Sequence, residues 1–161
     1  MKRSIEHIIQ EYNASLFKIC LGYSHSFQDA EDLLQDVFIN IWKGLESFRE
    51  DANIKTWLYR VTVNTCLLTL RKKSVQTISI DNINQSWISV IPHSNSGEES
   101  FQLLHQLIQK LPHHEKSIIL LDLEGLTHQD IANVVGISSN YVGVKINRIK
   151  QKIINKIKGN E

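Results

Sequence analysis

Apolar residues recur at steps of three and four over most of the chain, and this spacing predicts helices rather than strands. The first stripe consists of Ile5, Ile8, Ile9, Tyr12, Leu16, Ile19 and Cys20. The second consists of Ala30, Leu33, Leu34, Val37, Phe38, Ile41 and Trp42. A third helix is predicted from about Ile54 to Lys73, with inward-facing Trp57, Leu58, Val61, Thr65, Leu68 and Thr69. Three helices ending near Lys73 predict one small bundle over residues 1–73.

The helical period is lost between residues 74 and 99, where Ser, Asn, Thr and isolated Ile dominate. About 26 residues without regular structure would be unusual inside one compact domain, so this segment is predicted to be a flexible linker. It could touch a partner through four apolar residues, Ile78, Ile80, Trp87 and Ile88. A short hairpin packed on one of the bundles is the competing interpretation.

Helical periodicity returns at Phe101 and pauses at the sequence "KLP". Pro112 is expected to open the next helix, because its missing N–H costs nothing in a first turn. Gly125 should end that helix in a left-handed conformation. Residues 100–161 are thus predicted to form a second small bundle, which makes the whole chain an all-α protein of two bundles joined by a flexible linker.

The spacing in "IANVVGISSNYVGVKI" fits a helix-turn-helix. Ala132 is small where a second helix must cross closely, and Gly136 should end the first helix at the turn. Ile137 and Val142 should then fill the angle between the two helices. The side chains expected to cap the first and second helix are Thr127 and either Ser138 or Ser139.

The second helix of this motif divides into an apolar and a polar face. Its core stripe is Val142, Ile146, Ile149, Ile153 and Ile157. Its outer face carries Ser139, Asn140, Tyr141, Lys145, Arg148 and Lys152. In DNA-binding versions such a helix enters the major groove, and Arg148 or Lys145 could then reach guanine while Lys152 and Lys156 touch phosphate. The alternative is a solvated basic helix. Gly143 either allows close approach to DNA or avoids a clash.

Composition narrows the class of protein. The formal net charge is +1, but acids crowd the second helix and bases crowd the C-terminal one, so different faces should meet different partners. No apolar run is long enough for a signal peptide or a bilayer span, and stable membrane insertion is not expected. Cys20 and Cys66 lie in apolar patterns, which favours buried thiols in a reducing, cytoplasmic compartment.

Chemistry at a catalytic or metal site is not indicated. The adjacent His113 and His114 would project in different directions from a helix, and no acid pair completes a metal site. Glu115, Asp122 and Glu124 lack a spacing typical of general acid–base catalysis. We therefore expect neither enzymatic activity nor a cofactor nor a bound metal.

Three motif blocks resemble one known family. They are "DAEDLLQDVFINIWKGLESFRED", "IKTWLYRVTVNTCLLTLRKK" and "LPHHEKSIILLDLEGLTHQDIANVVGISSNYVGVKINRIKQKI". In this order, and with a linker of this length, they resemble the extracytoplasmic-function sigma factors of the bacterial sigma-70 family. The resemblance implies a region 2-like domain over 1–73, a linker over 74–99 and a region 4-like domain over 100–161. It also implies binding to RNA polymerase core, promoter recognition, DNA melting and transcription initiation.

The resemblance also implies a polymerase-docking surface. The helix from Asp29 to Trp42 is similar to the one that binds the polymerase β′ clamp helices, and its expected contact residues are Asp29, Asp32, Gln35 and Asp36. A solvated polar face with capping charge is the alternative. The second bundle is similar to the domain that binds the β flap. Leu120, Leu121 and Leu126 could make that contact or could be core residues.

Two promoter elements are implied in the same way. Asn64 matches the family position associated with the −10 element, with Lys55, Tyr59 and Arg60 supporting an unpaired strand and Arg71, Lys72 and Lys73 on its phosphates. Trp57 fits a core position better than a stacking platform. The −35 residues, Ser139, Asn140, Tyr141, Lys145, Arg148 and Lys152, inherit no particular base contacts. Their helix reads "SSNYVGVKINRIKQ" where many relatives begin with a "GTVKSR"-like sequence.

Two further points stay open on the sequence. An ordinary helix-turn-helix regulator with an N-terminal interaction domain would bind duplex DNA without polymerase, and it would not need the strand-holding residues from Trp57 to Asn64. An anti-sigma protein is a partner of many relatives, and the residues neither require nor exclude one here.

Overall fold

The computed structural model describes residues 4–49, 53–75 and 97–159, and within these ranges all regular structure is helical. The first unit contains α1 (Ile5–Gly22), α2 (Phe27–Leu45) and α3 (Ile54–Val75). The second unit contains α4 (Gly97–Gln109), α5 (His113–Leu123), α6 (His128–Val135) and α7 (Ser139–Gly159). The all-α architecture of two helical bundles predicted from the spacing of apolar residues is confirmed.

The helix ends differ slightly from the predicted boundaries. α3 runs to Val75 and α4 begins at Gly97, so each extends into the segment predicted as a linker. The rest of that segment, including its four apolar residues and the competing hairpin, lies outside the described residues.

Side-chain oxygens set the start of each helix in the first unit. Ser4 Oγ accepts a hydrogen bond from the His7 N–H at 3.3 Å, and Ser26 Oγ accepts one from the Asp29 N–H at 3.0 Å. Asn53 Oδ1 accepts one from the Lys55 N–H at 3.0 Å. Each bond satisfies an N–H that has no partner inside its helix, a contribution of about 1 kcal/mol per cap.

The core of the first unit forms where α2 packs between α1 and α3. Cys20 and Cys66 are both fully buried in it, as predicted. Two buried threonines of α3 avoid unsatisfied hydroxyls by donating to the carbonyls one turn earlier, Thr62 to Leu58 at 2.8 Å and Thr65 to Val61 at 2.7 Å. The Thr65 hydroxyl also accepts a hydrogen bond from the Asn40 side chain at 3.0 Å, which ties α2 to α3.

Three residues of the first unit that were predicted to face inward are exposed, and those predictions were wrong. They are Ile9, Trp42 (64% exposed) and Leu68 (50% exposed). In α3 the buried positions include Leu58, Thr62 and Cys66, an arc rotated by about one residue, or about 100°, from the predicted stripe. The reason is that α3 packs against both α1 and α2, so the neighbouring helices rather than its own apolar pattern decide which side is buried.

In the second unit, α5 is the central helix. Its seven consecutive residues from Glu115 to Leu121 are all buried, because α6 and α7 both pack against it. Pro112 stands immediately before its first turn, and Gly125 follows its end with a φ of 84°, both as predicted. The core stripe of α7 is buried at Val142, Ile146, Ile149 and Ile153, whereas Ile157 is exposed near the C-terminal end.

The helix-turn-helix predicted from the sequence is present as α6, a short turn and α7. Gly136 has a φ of 80°, a left-handed conformation that costs a residue with a side chain about 1–2 kcal/mol. Its N–H donates to the Ala132 carbonyl at 2.8 Å, which closes α6. Thr127 Oγ1 accepts from the Asp130 N–H at 3.1 Å, and Ser138, not Ser139, caps α7 by accepting from the Tyr141 N–H at 3.2 Å.

Gly143 lies on the side of α7 that meets α6. A Cβ at this position would stand 3.4 Å from two atoms of the His128 imidazole. This distance is at the limit of ordinary van der Waals contact and the His128 ring is exposed, so the structure shows no severe clash that the glycine must avoid.

The described helices show neither a membrane span nor a metal cluster. Over residues 4–49, 53–75 and 97–159, no helix combines the length and apolar content needed to cross a bilayer. In the same ranges no group of three or more His, Cys, Asp or Glu side chains is placed to hold a metal ion.

Candidate nucleic-acid and polymerase interfaces

The outer face of α2 carries most of the residues implied in polymerase docking. Asp32, Gln35 and Asp36 are all exposed, and they fall within one turn and a quarter of the helix. The Gln28 amide donates to Asp32 Oδ1 at 3.2 Å, so one carboxylate oxygen is held while the group stays at the surface. Two carboxylates four residues apart share a helix face, which makes this surface locally negative.

Asp29 differs from these three residues in its surroundings. It is half-buried in the first turn of α2, where its carboxylate faces the positive end of the helix dipole. Asp29, Asp32 and Asp36 line one side of a cleft of about 170 Å³, and Lys73 of α3 contributes to the lining. The structure therefore places Lys73 beside the acidic cleft, although the resemblance had grouped it with phosphate-binding residues.

An apolar extension of the α2 face was missed on the sequence. Ile39 and Trp42 are exposed, and they follow Gln35 by four and seven residues along the helix. Residues at such steps lie on the same side of a helix. The spacing could have found it, because Trp42 follows the polar Gln35 by seven residues and therefore lies only about 20° from it around the helix. Its apolar character had led to an inward prediction.

Three residues of α3 implied in holding the −10 strand share one exposed face. Arg60, Asn64 and Arg71 are all exposed, and spacings of four and eleven residues bring them close to one line along the helix. The exposed Leu68 lies on the same side between Asn64 and Arg71. This face joins two guanidinium groups, an amide and an apolar side chain, a combination that can meet phosphates and unpaired bases.

Tyr59 does not belong to that face. Tyr59 is 2% exposed, because the buried arc of α3 passes through this position, so its ring is not on the surface that was expected to support the unpaired strand. Lys55 is half-buried in the first turn, and Lys72 is exposed but about 120° around the helix from Arg60. Trp57 is packed, as expected, with its ring centroid 5.0 Å from that of Phe48.

The outer face of α7 carries most of the residues implied in −35 recognition. Asn140, Tyr141 and Arg148 are exposed, whereas Ser139 and Lys145 are half-buried. The Lys145 ammonium lies 5.5 Å from the centre of the Tyr141 ring, a cation–π distance across one turn of the helix. The sequence of α7 contains six Lys or Arg and no Asp or Glu, so its exposed side is positive.

Lys152 is exposed on the same side of α7 as Lys145 and Arg148, but its ammonium is paired within the unit. Its ammonium donates to both carboxylate oxygens of Glu115 in α5, at 3.1 and 2.9 Å. The ammonium of Lys150, two residues before Lys152, lies 3.5 Å from a carboxylate oxygen of Asp122, which is also in α5. In the structure the charge of Lys152 is paired with a mostly buried carboxylate 37 residues earlier in the chain, while half of its side chain remains exposed.

Three further exposed residues of the outer face of α7, two polar and one apolar, were not identified from the sequence. Val144, Asn147 and Gln151 are exposed, and they stand four, seven and eleven residues after Asn140. These steps repeat the helical period on the side opposite Val142 and Ile146. The helical spacing from the buried stripe would have identified these three positions. They were missed because charge alone identifies only Lys and Arg.

The leucines considered for β flap contact are buried. Leu120, Leu121 and Leu126 expose at most 8% of their surface. They form the core beneath α6 and α7, which favours the structural alternative for all three.

Comparison with known proteins matches both units. Residues 8–75 match the family model described as Sigma-70 region 2, and residues 101–153 match the model described as Sigma-70, region 4. The two matches together span α1 to α3 and most of α4 to α7.

Relatives match most of the chain. The ECF RNA polymerase sigma-E factor of Escherichia coli (strain K12) is 30% identical over 141 residues, which are 80% of this chain and 74% of that protein. The RNA polymerase sigma-H factor of Pseudomonas aeruginosa is 26% identical over 164 residues, 94% of this chain and 85% of that protein.

Solved structures share the fold. The sigma factor RpoE in complex with the anti-sigma factor NepR, from Bartonella quintana, has a TM-score of 0.74 at 21% identity and covers 97% of this chain and 99% of that one. CnrH in complex with the cytosolic domain of CnrY has a TM-score of 0.72 at 18% identity, covering 98% and 89%. With both sigma-70 regions matched in order and a relative at 30% identity, the chain belongs to the extracytoplasmic-function branch of the sigma-70 family of RNA polymerase sigma factors.

Proposed function

We propose that the first unit docks core RNA polymerase and holds the melted −10 strand, while the second unit reads the −35 element as duplex DNA. The observation that carries this proposal is the opposite character of two exposed helix faces within one sigma-factor chain. The α2 face presents Asp32 and Asp36, whereas α7 presents a positive surface without a single acid. A negative surface repels DNA and suits a basic protein partner, and a positive one suits DNA.

Docking is proposed to use the carboxylates and the apolar extension of α2 together. Asp32 and Asp36 would pair with basic side chains of the polymerase β′ clamp helices, and Gln35 would add hydrogen bonds. Trp42 and Ile39 would supply the apolar area that charge pairs alone do not provide, since exposed aromatics are common anchors of protein interfaces. Asp29 is proposed to support this surface from its half-buried position.

Strand holding is proposed to use the α3 face formed by Arg60, Asn64 and Arg71. An amide such as that of Asn64 can read the pairing edge of a base that has left the helix. Arg60 and Arg71, one turn before and two turns after it, would contact the phosphates of the same strand, with Lys55 and Lys72 at its margins. Tyr59 is left out of this role because it is buried.

Duplex reading is proposed to use the first turns of α7, where Asn140, Tyr141 and Arg148 are exposed and Ser139 and Lys145 border them. Arg148 would reach a guanine edge or a phosphate, and Lys145 a phosphate. Recognition helices of helix-turn-helix proteins enter the major groove in this manner. Lys156 and Lys158, further along the exposed side, would contact the DNA backbone.

The proposed activity is binding without catalysis, in the cytoplasm, with no cofactor. An anti-sigma protein is a further proposed partner, because a relative of the same fold was solved in complex with one. Such a partner would act by covering the α2 face, so it should compete with core polymerase for this chain.

Reconstitution tests the proposal directly. Purified chain is mixed with core polymerase that carries no other sigma factor, and run-off transcription is measured on genomic fragments bearing its start sites. Transcription that begins at defined sites is the expected result. An ordinary helix-turn-helix regulator would bind DNA alone and stimulate only a complete holoenzyme, and that outcome would reject the proposal.

A further inference from the structure

Val144 is an exposed aliphatic residue in the second turn of α7. It exposes 45% of its surface, although Val142 and Ile146 on either side are buried. Two residues along a helix correspond to a rotation of about 200°, so Val144 points away from the core of the unit. A single exposed apolar residue is ordinary on a protein surface. Whether it indicates a binding site depends on the residues around it.

The neighbours of Val144 are polar and exposed. Asn140 precedes it by four residues, and Asn147 and Arg148 follow it by three and four. These are the spacings at which side chains meet on a helix surface. A branched aliphatic group thus stands at the centre of a patch of two amides and one guanidinium, and the helix around it contains no acid.

The chemistry of this patch matches one feature of the DNA major groove. Thymine is the base that presents a methyl group there, and apolar side chains recognise it by contact, while Asn commonly pairs with the edge of adenine. We infer that Val144 is a specificity-determining residue that contacts the 5-methyl group of a thymine in the −35 element. The inference rests on the proposed function, because it requires α7 to lie in the major groove.

The size of the effect follows from the buried area. Burial of one methyl or methylene group contributes about 0.8 kcal/mol, and at 1.4 kcal/mol per factor of ten this corresponds to about fourfold in affinity. Valine has few χ1 rotamers, so little conformational freedom is lost when it is fixed against a base.

The test uses full-length chain bound to core polymerase. Duplexes are first selected from a library randomised upstream of the −10 element, which defines the −35 sequence. Each −35 thymine in the selected duplex is then replaced singly by uracil, which removes the methyl group and changes no hydrogen-bonding atom. Binding of the holoenzyme to these duplexes is compared for the unchanged chain, Val144→Ala and Val144→Thr.

One thymine should stand out. Replacing it by uracil should weaken binding of the unchanged chain about fourfold and leave Val144→Ala binding unchanged, since that variant has already lost the contact. Val144→Thr, which keeps one methyl group, should fall between the two. Equal sensitivity to uracil in the unchanged chain and Val144→Ala, or no sensitivity in either, would overturn the inference while leaving −35 binding intact. Selection of no −35 sequence at all would overturn the proposed −35 role together with it.

Discussion

Lys152 of α7 holds both carboxylate oxygens of Glu115 in α5, with its ammonium 3.1 and 2.9 Å away. The Glu115 side chain is 11% exposed and that of Lys152 is 50% exposed, so the pair lies at the edge of the core. A carboxylate buried without a partner is costly, and Lys152 removes that cost. The contact therefore links the recognition helix to the central helix of its unit.

Glu115→Gln should destabilise the second unit by about 1–2 kcal/mol. This value lies between those of exposed ion pairs and fully buried ones, because half of Lys152 remains in water. Amide hydrogen exchange of α5 and α7 in the full chain measures this loss of stability. Tryptophan fluorescence is less suitable, because the described tryptophans, Trp42 and Trp57, both lie in the first unit.

Asp122→Asn is the matched control for Glu115→Gln. It removes the longer contact of 3.5 Å to Lys150, whose side chain is 56% exposed, and should change the stability by less than about 0.5 kcal/mol. Equal protection of α7 in the two variants would show that the Glu115 contact stabilises no more than a surface pair.

Arg148→Ala should weaken binding of the holoenzyme to a duplex containing the −35 element by about tenfold or more, because a guanidinium contacting a base edge contributes about 1–3 kcal/mol. Affinity is measured at one fixed salt concentration. Lys158→Ala removes the same charge from an exposed position near the end of α7 and should cost less. Similar losses in both variants would indicate general electrostatic attraction in place of a specific contact.

Asn64→Ala should leave duplex binding unchanged and slow promoter opening about fivefold to tenfold, because a lost hydrogen bond to an unpaired base costs about 1–1.5 kcal/mol. Permanganate reactivity of the −10 thymines follows opening. Asn13→Ala provides the control, since Asn13 is also exposed but lies on α1. A loss of duplex binding in Asn64→Ala as large as in Arg148→Ala would contradict the division of labour between the two units.

Asp32→Arg combined with Asp36→Arg should weaken binding to core polymerase by about tenfold or more, because the substitutions bring like charges together at the proposed interface. Titration of labelled chain with core polymerase measures the affinity. The same change of charge on α1, Glu6→Arg with Glu11→Arg, should have a smaller effect. An unaltered affinity in the Asp32 and Asp36 variant would remove the α2 face from the interface.

Gly136→Ala should destabilise the helix-turn-helix by about 1–2 kcal/mol, because its φ of 80° is unfavourable for any residue with a side chain. Gly143→Ala is the opposite case. A Cβ there would stand 3.4 Å from the His128 ring, and the gain in helix propensity of about 1 kcal/mol should match or exceed the crowding. Amide hydrogen exchange of α7 is compared in the two variants. An equal fall in protection in both would refute the left-handed φ of Gly136 as the cause of the loss.

Local chemistry accounts for the parts of the fold that were predicted from the sequence. Thr127 as a cap and Gly136 as a turn residue act through bonds to residues at most four positions away, so a short stretch of sequence contains the needed information. The exposed positions of Asp32, Gln35 and Asp36 follow likewise from their spacing against the buried stripe of α2.

Tertiary packing decided the parts that were not predicted. α3 has apolar residues on several sides, and its contacts with α1 and α2 bury Tyr59 while leaving Leu68 exposed. Lys152 and Glu115 are 37 residues apart, so no helical period relates them. Both differences alter the candidate surfaces: Tyr59 is absent from the exposed face of α3, and the Lys152 cation on α7 is engaged in an ion pair within its own unit.

The two lysine–carboxylate contacts of α7 have a consequence for ionic strength. Each phosphate neutralised by a cation changes the slope of log affinity against log salt by about −0.9. Of the six cations in α7, Lys150 and Lys152 already face Asp122 and Glu115. The four remaining cations can displace about four counterions from DNA, which gives a slope of about −3.6 in place of −5.4, so the affinity of this helix for DNA should fall less steeply as the salt concentration is raised.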